Sequence, residues 1–397
     1  MAPAKSVAGI VTVYRKWSHA EMILGKILDG FQHDGGPGPN LKLKSLYIDQ
    51  FPEIDTGKAT VARHGVHLAK TIDEAVTLGG NRVAVDGVLI IGEHGNYPDN
   101  EKGQRLYPRR RFFAETLKAF ERCGSAVPVF NDKHLAATWE DAKWMVDAGR
   151  KQFVPMLAGS TVPLAWRRPE LELPMNCDIR DAVQVGYGQL EAYGFHALEG
   201  LQCMVERRKG GETGVRSVQV LSGPAIWEAM DQGRFSKNLL ETAFDRVPGK
   251  AKGDYRELTV RGNRKSSVML IDYRDGLKAA VVITNGYLQD RDGGGFAFAG
   301  QLHGEQEPRT CQFYLQDADP FGHFIYLVKA IEAMVQTGHS PIPIERTLLT
   351  TGILDAAMTS HHEGGKRIDT PHLEIRYQPS RWAFARDPLP PTFRRPK

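Results

Sequence analysis

From the N-terminus, short and nearly continuous apolar runs alternate with amphipathic stretches. The run "AGIVTVY" is β-branched and predicts a first strand. "SHAEMILGKILDGF" predicts a helix, with Ser18 as N-cap, Met22, Ile23, Ile27 and Leu28 as its apolar stripe and Gly30 as its stop. The glycines and prolines of "QHDGGPGPN" mark a loop, and "LKSLYID" reads as a second strand. "TIDEAVTL" predicts a short helix in which Thr71 and Glu74 have capping-box spacing. "VDGVLIIG" reads as a third strand, "YPRRRFFAETLKAFERCG" as a helix, "VPVF" as a strand, "TWEDAKWMVDAGRK" as a helix and "FVPMLAG" as the last strand of the series. Alternation of this kind, with strands apolar almost throughout, predicts a doubly wound parallel α/β sheet over residues 1–158.

Beyond that point the pattern changes. "QVGYGQLEAYGFHALEGLQCMVERRKGG" has a helical pattern with Leu190, Ala197, Leu201 and Met204 on one side. The segments "VRSVQVL", "YRELTV", "SSVMLIDY", "LKAAVVITNG", "GGFAFAGQL" and "RTCQFYLQ" then read as strands that succeed one another without comparable helices. They predict an α+β domain over residues 159–397, built on a large open, mostly antiparallel sheet with one covered face. "FGHFIYLVKAIEAMVQTG" and "ERTLLTTGILDAAMTSHH" predict two late helices. The Pro- and Arg-rich tail from Arg376 onward is expected on the surface or against a neighbouring chain.

A doubly wound sheet binds ligands outside the carboxyl ends of its strands, so the residues just past each strand are the informative ones. The first strand leads into Arg15, Lys16, Trp17, Ser18 and His19, the second into Asp49 and Gln50. After the third come Glu93, His94, Asn96 and Tyr97, and after the fourth Asn131, Asp132, Lys133 and His134. His19, Glu93, His94, Asp132 and His134 offer the imidazoles and carboxylates that a divalent metal requires. In the blander reading His19 caps the first helix, and Glu93 and His94 line a polar cleft.

Composition narrows the function classes. The chain has 397 residues, 41% hydrophobic and 25% charged, with a formal net charge of +4. That balance is too mild for a nucleic-acid partner, and no recognition signature accompanies the short clusters "YPRRRFF" and "WRRPE". Arg109, Arg110 and Arg111 read as a solvated helix start, with an anion contact as the alternative. Arg167 and Arg168 could clamp an anionic substrate or simply be solvated. The four cysteines form no CxxC pair and read as thiols. No apolar run reaches the ~20 residues that span a bilayer. The first residues read as a strand rather than a signal peptide, so a cytoplasmic protein is expected, with a trimmed export signal left open.

Four segments, in order, resemble the Gfo/Idh/MocA family (glucose–fructose oxidoreductase, inositol dehydrogenase and their relatives). They are "VDGVLIIGEHGNYP", "VPVFNDKHLAATWEDAKWMV", "YGFHALEGLQCMVE" and "FIYLVKAIEAMVQTGHSPIPIERTLLTTGILDAAMTS". The resemblance implies a Rossmann-like first domain and an oxidoreductase acting on a carbohydrate or polyol. It also implies NAD or NADP as cofactor, and a homodimer or homotetramer packed through the open sheet. Carried over position by position, the family's lysine falls on Lys133 and its histidine on His196. Its aspartate position falls on Ala192, with Glu191 adjacent. Glu199, one helical turn beyond His196, could orient it or ligate a metal. Cofactor contacts would fall to Arg15, Lys16, Ser18 and Asp49, and substrate contacts to Glu93, His94, Tyr97 and Arg167. Lys133, beside other cations, is expected to have a lowered pKa and to serve as base or acid.

The departures carry equal weight. Where the family has a GxGxxG turn, this chain reads "VYRKWSHAE", with no glycine. Backbone approach to a pyrophosphate needs those glycines. Two further readings therefore stay open. One is a lyase, hydrolase or epimerase of sugars that works without NAD and possibly with a metal. The other is a sensor or sugar-binding protein without catalysis.

Overall fold

A computed structural model describes residues 3–261 and 265–393. Six strands, β1 (Lys5–Val11), β2 (Leu41–Ile48), β3 (His67–Ala69), β4 (Gly87–Ile91), β5 (Val129–Asp132) and β6 (Met156–Gly159), form one sheet. Their order is β3-β2-β1-β4-β5-β6 and every pairing is parallel. This is the Rossmann-like order, and the reversal of direction between β1 and β4 opens a crevice at their carboxyl ends. The helices between them are α1 (His19–Leu28), α2 (Gly57–His64), α3 (Ile72–Thr77), α4 (Arg109–Cys123) and α5 (Trp139–Lys151). Ser18 and Thr71, the caps read from the sequence, each accept a bond from the backbone N–H three residues on and start α1 and α3, and Thr138 does the same for α5. The short α2 and β3 gave no sequence signal. Only Gly57 and Val61 of α2 are buried, so no apolar stripe marks it.

The second sheet holds β7 (Trp166–Arg168), β8 (Ile179–Gly186), β9 (Val215–Ser222), β10 (Ser267–Tyr273), β11 (Lys278–Ile283), β12 (Ala297–Leu302), β13 (Arg309–Tyr314) and β14 (Ile368–Asp369). Its order is β14-β9-β10-β11-β8-β12-β13-β7, antiparallel except for the β11–β8 pair. Its helices are α6 (Ala192–Val205), α7 (Pro224–Asp231), α8 (Lys237–Asp245), α9 (Tyr255–Arg261), α10 (His323–Thr337) and α11 (Ile344–His362).

Three expectations change here. The segment "YRELTV" is the helix α9, not a strand. Tyr255 and Leu258, three apart, pack on one side against the core, and a seven-residue run fits either period. The segment read as helical from Gln184 begins as the end of β8, and its helix starts only at Ala192. The sheet also has both faces covered rather than one. Ala182 to Gly186 of β8, Ala279 to Ile283 of β11 and all of β12 are buried on alternate sides alike. α6 lies against β8 and β11 on one side, and α8 lies against β8, β12 and β13 on the other.

The late helices tie the two sheets together. Leu327, Ile331, Met334 and Val335 of α10 share a core with Val7, Leu43 and Leu89 of the first sheet. α11 packs against α5, α6 and β9. The tail runs back along its own chain. Ala385 N–H donates to Leu164 O at 2.9 Å, and Gln316 Nε2 to Pro390 O at 2.8 Å. Residues 394–397 of the tail lie outside the described residues. No helix among the described residues is long and apolar enough to cross a membrane.

Candidate active site

Three of the non-glycine residues with left-handed backbone are Trp17 (φ 61°), His94 (φ 68°) and Lys133 (φ 58°). Each stands past a different strand of the first sheet, β1, β4 and β5. Such conformations cost about 1–3 kcal/mol and gather where a site needs a particular side-chain direction. All three line one cavity of about 390 Å³. His19, Glu93 and His196 share it, with Tyr187, Tyr193 and Phe296 as an aromatic wall and Asp290 and Asp317 as carboxylates from the second half of the chain. A larger depression of about 780 Å³ between α4 and α5 contains none of these groups.

At the centre, Lys133 Nζ donates to Glu93 Oε1. His19 Nδ1 lies 2.8 Å from Asp132 Oδ2 and 3.2 Å from Glu93 Oε2. The ring nitrogen can serve only one of them. Its geometry favours Asp132, and Glu93 Oε2 is buried with no hydrogen directed at it. His94 is peripheral: its Nδ1 faces Arg15 Nη2 at 3.3 Å, and its Nε2 is 4.0 Å from Glu93 Oε1. His134, expected beside the other metal candidates, turns away and is buried, 3.0 Å from Arg109 Nη1 and 3.3 Å from Glu191 Oε1. So the structure brings together His19, Glu93 and Asp132, sets His94 at their edge and separates His134.

Electrostatics assign different characters to the two cleft residues. Burial alone would lower the Lys133 pKa, but the carboxylates of Glu93 and Asp132 outweigh it and raise it above the usual lysine value. The expected lowering is thus reversed, because Glu93 stands closer than any cation. Burial, the Lys133 ammonium and His19 together hold His196 well below the usual histidine range. Burial would raise Glu93, yet the charges of His19, Lys133 and His94 keep it well below the usual carboxylate range. Burial lowers His94 to about 4, and Glu93 offsets this only in part.

His196 Nδ1 is held at 2.6 Å by Ser160 Oγ, directly after β6. Ser160 escaped the sequence reading, although it stands past a strand as the other site residues do. Glu199 does not touch His196. Its carboxylate accepts from Thr350 Oγ1 at 2.6 Å and faces Ser160 N–H at 3.4 Å, so it reaches the imidazole only through Ser160. Burial raises the Glu199 pKa to about 7, against the pull of Arg346. Arg109, read as solvated, is 1% exposed and belongs to the His134–Glu191 group.

The corner expected to take a dinucleotide is closed by the chain itself. Asp49 Oδ1 accepts from Tyr47 OH and Arg111, and its Oδ2 accepts from Tyr97 OH at 2.7 Å. Tyr97, a substrate candidate, is thereby committed to Asp49. Gln50 and Asn96 pair through two hydrogen bonds and join the two loops. At the start of α1, Ser18 Oγ caps Glu21 N–H, and Glu21 Oε2 accepts from Trp17 N–H at 2.6 Å. Lys16 Nζ lies over the Trp17 ring, 5.0 Å from its centroid. Neither a bare backbone approach nor a free ribose-binding carboxylate is present, and this corner does not fit a nicotinamide dinucleotide. Arg167 also leaves the site. It is buried, donates to Leu171 O and Pro163 O, and stacks at 3.9 Å on Phe384 of the tail.

No protein-family model and no curated protein matches the chain. Solved structures do share its fold. GenD2 from gentamicin A biosynthesis, solved with NAD, is 14% identical with a TM-score of 0.56, over 93% of this chain and 97% of its own. The myo-inositol dehydrogenase of Lactobacillus casei, solved with NAD(H) and myo-inositol, is 10% identical with a TM-score of 0.57, over 92% and 96%. The apo scyllo-inositol dehydrogenase of the same organism is 12% identical with a TM-score of 0.55, over 92% and 98%. At these identities the likeness is one of fold.

Proposed function

We propose that this chain is an enzyme on the Gfo/Idh/MocA scaffold that acts on a carbohydrate or polyol by proton transfer, without a nicotinamide. The observation that carries the reading is the shared cavity of Lys133 and His196, which reach it from the end of β5 and from α6. Lys133 would donate to a substrate oxygen, and His196, oriented by Ser160, would accept a proton from a neighbouring carbon or hydroxyl. The cavity volume suits a small molecule. Its aromatic wall and the carboxylates of Asp290 and Asp317 suit the apolar faces and hydroxyls of a sugar. An epimerase, lyase or hydrolase of sugars would need this machinery. The test is a panel of aldoses, polyols, uronic acids and keto-sugars in D₂O with purified protein, monitored by NMR. Loss of a carbon-bound proton signal, or a new product, without added NAD or NADP is the expected result.

A second reading is a nicotinamide-dependent sugar dehydrogenase. It is favoured by likeness over nearly the whole chain to dehydrogenases solved with NAD. Turnover in the same panel only when NAD or NADP is added would establish it and remove the first.

A further inference from the structure

We propose that His19, Glu93 and Asp132 bind one divalent transition-metal ion at the floor of the cavity. One ligand atom from each of the three lies within 4.8 Å of the others. They stand at the first residue of α1, just past β4 and at the end of β5, so rigid elements fix all three. Two ligands about 2.1 Å from a tetrahedral ion stand about 3.4 Å apart. The two separations from His19 Nδ1, 2.8 and 3.2 Å, would open by about 0.6 and 0.2 Å, and the two carboxylate oxygens already lie within 4.8 Å of each other.

The independent observation is the state of Glu93. Its two oxygens are divided: Oε1 takes the Lys133 ammonium, and Oε2 faces His19 Nδ1 and Asp132. That second oxygen is buried and receives no hydrogen. A buried carboxylate oxygen left unpaired is destabilising, because it has lost its water without gaining a donor. Among the described residues, Asp132, 2% exposed, has the same imidazole nitrogen as its one side-chain hydrogen-bond partner. Two carboxylates and one imidazole thus converge their donor atoms on one point, beside a single ammonium that binds the other oxygen of Glu93. An ion placed there would take a nitrogen and an oxygen from each of two carboxylates. That set suits manganese, iron or zinc better than calcium or a thiolate-seeking metal. His19 and Glu93 also line the cavity, so the remaining coordination positions would face a water or a substrate hydroxyl. This last role rests on the proposed function; the binding itself does not.

The test uses the full chain after EDTA treatment, titrated with Mn²⁺ by electron paramagnetic resonance and with Zn²⁺ by calorimetry. One ion per chain, with a dissociation constant in the micromolar range or below for at least one metal, is expected. Asp132→Asn and Glu93→Gln should each weaken it at least tenfold. His67→Ala, at an exposed His67–Glu74 pair, should leave it unchanged. Circular dichroism identifies any variant that fails to fold, and the other variant then carries the comparison. Absence of stoichiometric binding by both metals would overturn the proposal and leave His19 as a proton bridge between two carboxylates. Binding that survives both folded variants would overturn it equally. Because the ion is read directly, the result does not depend on whether any sugar is turned over.

Discussion

At the carboxyl end of β2, both oxygens of Asp49 are filled by Tyr47, Tyr97 and Arg111, and the adjoining loops are tied by Gln50 and Asn96. At the carboxyl ends of β4 and β5, Glu93 Oε2, Asn131 Oδ1 and His134 Nδ1 are buried without partners. Both corners belong to the edge of one parallel sheet. In the first, the polar side chains are paired with one another. In the second, three buried polar atoms have no partner among the described residues. Satisfied polar networks stabilise and rigidify, whereas unsatisfied ones are kept where function requires them. On the proposed function, the chemistry lies at the second corner and not at the first.

The largest effects should arise at the unsatisfied corner. Lys133→Ala and His196→Ala are each expected to lower turnover of a substrate found in the NMR panel by about a hundredfold or more, the scale of a positioned acid or base. Both variants should fold, since both side chains face a cavity. Near-normal turnover of either folded variant would break the contrast.

Glu199 lies beneath that corner and yields a pH signature. Its pKa is raised to about 7 in the folded chain, against 4.5 as the ordinary value. The native state therefore binds more protons than the unfolded one between those values. Stability is fully present below about pH 4.5, falls as pH rises toward 7 and then levels off, by an amount on the order of 3 kcal/mol. Glu199→Gln should flatten this part of the stability curve, measured by urea unfolding from pH 5 to 8. A curve of unchanged slope would show that Glu199 is not the group held neutral beside Ser160.

The satisfied corner should respond in stability and not in chemistry. Tyr97→Phe removes one hydroxyl from Asp49 and should cost about 1–2 kcal/mol in unfolding free energy, with turnover unchanged. A loss of turnover without a loss of stability would bring Tyr97 back into the substrate site.

How much of this was legible depended on distance along the chain. β-branched runs and N-caps are local signals, so the parallel sheet and α1, α3 and α5 could be read directly. Each strand end also declares its own residues, which put His19, Glu93, Asp132 and Lys133 on one edge once the sheet order was inferred. What could not be read was which of several neighbours turns inward. In "YPRRRFF", Arg109 meets His134, Arg110 meets Asp141 and Arg111 meets Asp49. Three consecutive residues on a helix point in three directions, and composition does not say which direction is the core. Arg167 stacks on Phe384, and the cavity receives Asp290, Asp317 and Tyr187 from remote segments. No local pattern encodes those meetings. The helices α7 and α8 went unread for a related reason: they are short and lie among strands, and only the packed sheet shows α7 against β9 and α8 against β8, β12 and β13.

The smallest effect tests the closed corner most sharply. Trp17 is 56% exposed and holds a left-handed backbone in the place of a glycine. Trp17→Gly removes the bulky side chain and relaxes that backbone, which should raise stability by about 1 kcal/mol at most. If Trp17 alone excluded a dinucleotide, this variant would gain tight NAD binding. Asp49 would still be filled from three sides, however, and the start of α1 would still be capped by Ser18 and Glu21. Calorimetric titration with NAD and NADP is therefore expected to stay flat for both the unmodified protein and Trp17→Gly. Micromolar binding by the variant alone would place the whole barrier in one side chain. Micromolar binding by the unmodified protein would mean that the Tyr97, Arg111 and Gln50 contacts open on demand, and the two corners would then form one cofactor-to-substrate track.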